Sequence, residues 1–88
     1  MNKKATTKDE LFLLKLYELA VKKGGPEENI DRYYIGREIG MNQHGIDTII
    51  KHLAQANFIK KLPDNSVYLT PHGVSLVEYL RKERKLII

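Results

Sequence analysis

The sequence has 88 residues, a length that allows one domain with one modest hydrophobic core. Its hydrophobic fraction of 42% and charged fraction of 30% are ordinary for a globular chain, and no apolar run approaches the roughly 20 residues of a membrane-spanning helix. The absence of cysteine excludes disulfides, thiolate catalysis and cysteine-ligated zinc. The net charge of +4 weakly favours a polyanionic partner.

The N-terminal stretch is polar and basic, with neither an apolar h-region nor a small-residue cleavage site. We therefore expect no secretory signal and a cytoplasmic location. The positive charges lie in three clusters, each too short to be a disordered basic tail. These clusters are Lys3, Lys4 and Lys8, then Lys60 and Lys61, and finally Arg81, Lys82, Arg84 and Lys85.

The first predicted helix opens with a capping box. Thr7 can cap with its hydroxyl while Glu10 reaches back to the backbone, and the helical pattern runs from Leu11 to about Lys23, where Gly24-Gly25-Pro26 ends it. Apolar residues cover roughly 220° of this helix, about twice the arc that a surface helix needs. Either the helix is central within its own domain, or its second apolar face meets another protomer.

We favour the second alternative and predict a homodimer built from the first and last helices. An apolar surplus of this kind on a small domain usually marks an interface. The last helix can contribute if it continues past Arg84, because three of its apolar residues then share one face. These residues are Leu76, Leu80 and Ile87.

Residues 31 to 56 contain two short helical patterns that meet at Gly40-Met41-Asn42. Asp31 is the predicted N-cap of the first helix, and Gly36 lies where the second helix would cross closely. Gly40 can take the left-handed conformation that ends a helix, and Asn42 can cap the next one. The apolar positions of that second helix follow the spacing i, i+3, i+4 and i+7, at Ile46, Ile49, Ile50 and Leu53. The residues left facing outward are Gln43, His44, Asp47, Thr48 and Lys51.

The C-terminal part predicts a β-hairpin followed by a last helix. Two β-favouring runs, 58–62 and 67–70, flank the turn Pro63-Asp64-Asn65-Ser66. Thr70 is the predicted N-cap of the last helix, and Pro71 occupies its first position. The predicted core comprises Leu13, Tyr17, Ala20, Ile35, Ile39, Ile46, Ile49, Ile50, Leu53, Ile59 and Leu69.

Three helices, a hairpin and a fourth helix in this order resemble the small winged helix-turn-helix transcriptional regulators of bacteria and archaea. The resemblance rests on the stretch 39–43 with Ile46 and Ile50, on Phe58-Ile59 entering the hairpin, and on Leu69-Thr70-Pro71-His72-Gly73 leaving it. The last stretch resembles the Leu-Thr-x-x-Gly that leaves the wing in MarR-like regulators. The resemblance implies a single α+β, mainly α domain over 1–88, with four helices and a two-stranded wing. The helix-turn-helix would span about 31–56, the wing about 58–70, and the C-terminal helix would start at about 71.

In such regulators the second helix of the motif enters the major groove of double-stranded DNA. The resemblance implies that Gln43 and Thr48 lie at base edges, since Gln43 can pair bidentately with adenine and Thr48 can touch a thymine methyl group or a phosphate. The other implied DNA-binding residues are His44 and Asp47 at the same helix end, Lys51 at a phosphate, and Lys60 or Lys61 of the wing at the backbone.

Three residues depart from what this pattern prefers. Asp47 would repel phosphates unless it accepts from a cytosine amino group or pairs with Lys51 at i+4. Asp64 puts a negative charge at the tip of the wing. Gly45 has a helix propensity about 1 kcal/mol below that of alanine, which indicates a close backbone approach to the first helix of the motif or to DNA.

No enzyme, cofactor or metal site is expected. His44, His52 and His72 form no i, i+4 pair with a glutamate at ligand spacing, and the sequence lacks a glycine-rich phosphate loop. Two hypotheses about function remain open. One is a homodimeric DNA-binding regulator. The other is a winged-helix protein-protein interaction module that never touches DNA, favoured by Asp47, Asp64 and the apolar surplus. The charge around the outward face of the second helix of the motif distinguishes the two hypotheses. Unscreened carboxylates at Asp47 and Asp64, with the basic clusters on the opposite side, would favour the interaction module.

Overall fold

The computed structural model describes residues 7–84, which form a mainly helical α+β domain with four helices. In chain order the elements are α1 (Lys8–Lys23), β1 (Ile30–Asp31), α2 (Arg32–Glu38), α3 (Gln43–Gln55), β2 (Ile59–Lys61), β3 (Ser66–Leu69) and α4 (Pro71–Arg84). Within this part of the chain, no helix combines the length and the apolar character needed to cross a membrane.

The sheet has three antiparallel strands in the order β1-β3-β2, so the prediction of only two strands is wrong. The predicted hairpin itself is formed by β2 and β3. The additional strand, β1, pairs Ile30 with Val67 and Asp31 with Ser66 of β3. It immediately precedes α2. As a result, the start of the helix-turn-helix is hydrogen-bonded to the wing, which we define as β2, β3 and the turn between them.

Each predicted cap forms. The Glu10 backbone N–H donates to the Thr7 hydroxyl at 3.1 Å and the Glu10 carboxylate accepts from the Thr7 N–H at 3.2 Å, so α1 already begins at Lys8 rather than at Leu11. Side chains of the other predicted caps accept backbone N–H groups in the same way and fix the starts of the remaining helices. These caps are Asp31 for α2, Asn42 for α3 and Thr70 for α4.

The core is built around α1, which contacts α2, α3, α4 and β3. Its buried residues are Phe12, Leu13, Leu14, Leu16 and Ala20. Most of the wide apolar arc is therefore used within the domain, as the central-helix alternative requires. The predicted core residues are buried except for Tyr17 and Ile39, which are half-buried.

The exposed apolar surface on which the homodimer prediction rests is therefore smaller than expected. Leu80 is buried in the domain and Leu76 is half-buried, while Ile87 lies outside the described residues. On the two helices concerned, the large apolar side chains that remain exposed are Leu11 (41%), Val21 (46%) and Tyr79 (59%).

Candidate nucleic-acid interface

The outward face of α3 is fixed by the burial of its opposite face. Ile46, Ile49, Ile50 and Leu53 are at most 5% exposed, so the helix cannot rotate without exposing them. The predicted outward residues are all exposed, as expected: Gln43, His44, Asp47, Thr48 and Lys51. Their contact with DNA remains a prediction.

The two helices of the motif approach closely at Gly36. A Cβ atom at this position would lie 2.6 Å from Cγ1 of Ile46, too close for any side chain. The Gly36 carbonyl also accepts the Met41 N–H at 2.8 Å, and Gly40 takes a left-handed φ of 74°. This tight joint sets the angle at which α3 is presented to a partner.

Asp47 has structural partners that the sequence analysis did not identify. Its Oδ1 accepts a hydrogen bond from the Tyr33 hydroxyl at 2.8 Å and lies 3.9 Å from a guanidinium nitrogen of Arg32. The i+4 pair with Lys51, one of the two alternatives considered for this carboxylate, is not among the ion pairs formed by residues 7–84. The carboxylate thus links α3 to α2, and the nearby arginine offsets its charge.

The acidic residue in the turn of the wing, Asp64, has a structural role. The Asp64 side chain accepts the Ser66 N–H at 3.2 Å, so it closes the turn as an aspartate in a loop often does. Lys60 and Lys61 are both exposed and alternate along β2. Their side chains therefore point to opposite faces of the strand, as predicted, and at most one of them faces a given partner.

Two cations near the start of α3 were not selected from the sequence. Arg37 lies on a groove of about 370 Å³ together with Tyr33, Met41, Asn42, Gln43 and Ile46. On another side, Lys8 of α1 lines a groove of about 280 Å³ with Gly40, Met41, Asn42, His44 and Gly45. The Gly40 turn could have indicated Arg37, because it places the end of α2 beside the start of α3. Lys8 is brought there by tertiary packing.

Gly45 has no close neighbour on α2. Among the described residues, a Cβ atom added here would meet the Met41 Cε at 3.1 Å and the Asn42 Oδ1 at 3.4 Å. The expected approach of the first helix of the motif is thus found at Gly36 and not at Gly45. The remaining alternative for Gly45 is a close approach by DNA, which stays a prediction.

The histidines lie in separate environments. His72, at the start of α4, stacks on Phe58 with ring centroids 4.6 Å apart and an interplanar angle of 15°. His44 is exposed at the start of α3, and His52 is exposed further along the same helix. Stacking gives His72 a packing role at the base of the wing.

Comparisons with known proteins identify the fold. No protein-family model matches this chain, and no curated protein matches it. Its structure is similar to the crystal structure of NadR in complex with 4-hydroxyphenylacetate, with a TM-score of 0.65 and 18% sequence identity. The match covers 88% of this chain and 54% of the NadR chain, so this chain spans about half the length of NadR. NadR is a winged-helix regulator of the MarR family. The helices, the tight joint and the three-stranded sheet thus form a winged helix-turn-helix fold.

Proposed function

We propose that this chain is a DNA-binding transcriptional regulator that places α3 in the major groove and the wing along the DNA backbone. One observation carries the proposal: the start of α3 presents exposed polar side chains and is flanked by Arg37 and Lys8 on two sides. The acidic residues that favoured an interaction module have structural roles instead. Asp47 is held by Tyr33, and Asp64 closes the turn of the wing.

The start of α3 suits a polyanion for electrostatic reasons. The first backbone N–H groups of a helix lack intrahelical partners and carry a partial positive charge. Arg37 and Lys8 add full charges beside this helix end, while Lys51 lies about two turns further along. Phosphates that flank a major groove would therefore meet positive charge at both ends of the exposed face. In the proposed complex, base edges contact Gln43, His44 and Thr48.

The proposal is tested by measuring binding to mixed genomic DNA over a salt series. We expect binding that weakens steeply with salt, with a slope of about 0.9 per phosphate contact when log affinity is plotted against log salt concentration. Selection from the bound pool should then return a preferred sequence. Absence of DNA affinity at about 50 mM salt would replace this proposal with the protein-protein interaction module.

Asp47 provides a prediction that separates charge from structure. Asp47→Asn keeps an oxygen for the Tyr33 hydroxyl but removes a negative charge from the DNA-facing side, so we expect DNA affinity to rise about two- to threefold for all sequences. If the carboxylate instead accepts from a cytosine, the variant loses preference at one position of the site. Binding assays on preferred and scrambled duplexes distinguish these results. Asp47→Ala removes the same charge and the Tyr33 bond, and thus measures that bond.

We also propose that the regulator is a homodimer that contacts two half-sites about one helical turn apart. Most of the outward face of α1 is polar. Lys15 and Glu18 on this face pair at 2.8 Å. Their hydrogen bond holds the pKa of Glu18 below its usual value and the pKa of Lys15 above its usual value. The proposed contact is therefore limited to exposed apolar side chains on α1 and α4, chiefly Val21 and Tyr79.

Light scattering at tens of micromolar should give about twice the monomer mass of 10.2 kDa. Replacing both Val21 and Tyr79 with glutamate should yield a folded monomer, because the new charges would have to be desolvated at the contact. Gln55→Glu adds negative charge at the exposed end of α3 and serves as the control that keeps the dimer. A monomeric unaltered protein would contradict the proposal.

A further inference from the structure

Arg32, the first residue of α2, has an unusually enclosed side chain. The side chain is only 14% exposed, although arginine on a small domain normally extends into water. It follows β1 directly, so its backbone belongs to the junction between the sheet and the helix-turn-helix. The surroundings of its guanidinium group therefore show what holds these two parts together.

One side of Arg32 holds the turn of the wing. Its backbone N–H and its side-chain Nε both donate to the carbonyl oxygen of Asn65, at 3.0 and 3.1 Å. Asn65 has a φ of 73°, a left-handed conformation in which asparagine is among the more tolerated residues. Since a carbonyl oxygen has two acceptor positions, this single atom can accept both bonds. The turn is thereby fixed to the start of α2.

The other side of Arg32 faces the recognition helix. A terminal guanidinium nitrogen lies 3.9 Å from the Asp47 Oδ1, the same oxygen that accepts the Tyr33 hydroxyl at 2.8 Å. The guanidinium carbon is 5.9 Å from the centre of the Tyr33 ring. Asn65, Arg32, Tyr33 and Asp47 thus form a continuous cluster from the wing to α3, which we call the brace.

The brace holds the wing beyond the end of its pairing with β1. Strand β1 pairs with β3 only at two positions, and the turn between β2 and β3 extends past the last of them. A DNA duplex can contact α3 and the wing at the same time only if the two elements are held at a separation that matches the duplex. When they are, binding at one element raises the effective concentration of DNA at the other. A loose wing would lose part of this gain to ordering entropy.

From this geometry we infer that Arg32 is a positioning residue for DNA binding, which holds the wing at a fixed angle to α3 through the brace. The inference rests on the proposed function. Arg32 does not act chiefly as a phosphate ligand, because its Nε is used by Asn65 and its charge faces Asp47. Its contribution to affinity therefore passes through the lysines of the wing.

Arg32→Met tests the brace in the free protein. Methionine keeps much of the apolar length but has no side-chain donor, while the backbone N–H bond to Asn65 remains and supports the fold. We expect faster amide hydrogen exchange and a lower heteronuclear NOE at Asp64 and Asn65, with α3 unchanged. Arg37→Met, an exposed arginine on the same helix, is the matched control and should leave the wing as ordered as before. Unchanged wing order in Arg32→Met would overturn the inference.

A double-mutant cycle tests the consequence for DNA. Replacing Lys60 and Lys61 with alanine should lower the DNA affinity of the unaltered protein. In the Arg32→Met variant the same replacements should lower the logarithm of the affinity by less than half as much, because the wing of that variant is already misplaced. The same lysine replacements should be additive with Arg37→Met. Additivity with Arg32→Met as well would overturn the inference.

Arg32→Lys separates charge from geometry. Lysine keeps the positive charge, but its single ammonium group cannot donate to Asn65 and face Asp47 with the planar fork of arginine. We expect this variant to bind DNA about as weakly as Arg32→Met. Full affinity in Arg32→Lys would overturn the inference in favour of simple charge attraction. If the unaltered protein binds no DNA, the proposed function fails, whereas wing order in the free protein still decides whether the brace exists.

Discussion

Replacing Gly73 with alanine is expected to lower the free energy of unfolding by about 3 kcal/mol or more, the upper end of the usual cost of overpacking. Gly73 is the third residue of α4, and its N–H donates to the Thr70 hydroxyl at 2.9 Å. A Cβ atom here would overlap the backbone carbonyl of Phe58, and would lie 3.1 Å from the Leu69 side chain. Because backbone atoms cannot move aside as a flexible side chain can, α4 would have to shift away from the base of the wing.

Gly45 supplies a matched control within the same protein. It is likewise the third residue of a helix whose N–H is capped, here by Asn42 at 2.8 Å. An added Cβ would meet the flexible end of Met41, so Gly45→Ala should leave the fold intact and raise the free energy of unfolding by up to about 1 kcal/mol through helix propensity. Thermal and denaturant unfolding of both variants measures whether the free energy of unfolding falls in Gly73→Ala and rises in Gly45→Ala. Equal effects at Gly73 and Gly45 would contradict the packing argument.

The features that could be predicted from the sequence are those decided by near neighbours along the chain. A cap needs only a suitable side chain one turn from an unpaired N–H, and this sufficed for Thr7, Asn42 and Thr70. Gly40 was likewise expected in the left-handed region, and its φ value is 74°. The buried seam of α3 followed from spacing alone, because its four apolar residues fall on one face of any helix.

The features that the sequence analysis missed depend on contacts between distant segments. Strand β1 is only two residues long and is stabilised by its pairing with β3. No local sequence pattern encodes this pairing. The sequence spacing offers Asp47 a possible partner on its own helix, Lys51, whereas its hydrogen-bond partner Tyr33 comes from α2. Lys8 approaches α3 only because α1 packs across it. Each of these contacts requires the relative placement of two elements, which in turn depends on the assembled core.

The apolar arc of α1 illustrates the same limit in terms of energy. An arc of about 220° is compatible with a central helix or with a helix shared between protomers, since burying either face stabilises to a similar extent. The structure shows that α2, α3, α4 and β3 surround α1 and bury most of its apolar residues. Amphipathicity alone indicated how much surface must be buried, but it did not indicate which element buries it.

The largest effects on DNA binding are expected on the exposed face of α3, where we propose that Gln43 contacts bases and that Lys51, about two turns further along, contacts phosphate. Gln43→Ala should cost roughly 1 to 3 kcal/mol on the preferred sequence and little on other sequences, because a bidentate pair with adenine is lost only where that adenine is present. Gln55, an exposed glutamine at the last position of the same helix, is the matched control. Gln55→Ala should change neither affinity nor preference.

Lys51→Ala should instead weaken binding to all sequences alike and reduce the salt slope by about 0.9, the share of one phosphate contact. Lys22→Ala is its control, because Lys22 is 71% exposed and lies roughly 20 Å along α1 from Lys8, the residue of that helix that lines the groove at the start of α3. Titration of preferred and scrambled duplexes at several salt concentrations separates the two behaviours. A uniform loss in Gln43→Ala, or a sequence-dependent loss in Lys51→Ala, would show that α3 meets DNA in a different orientation from the one that its buried seam implies.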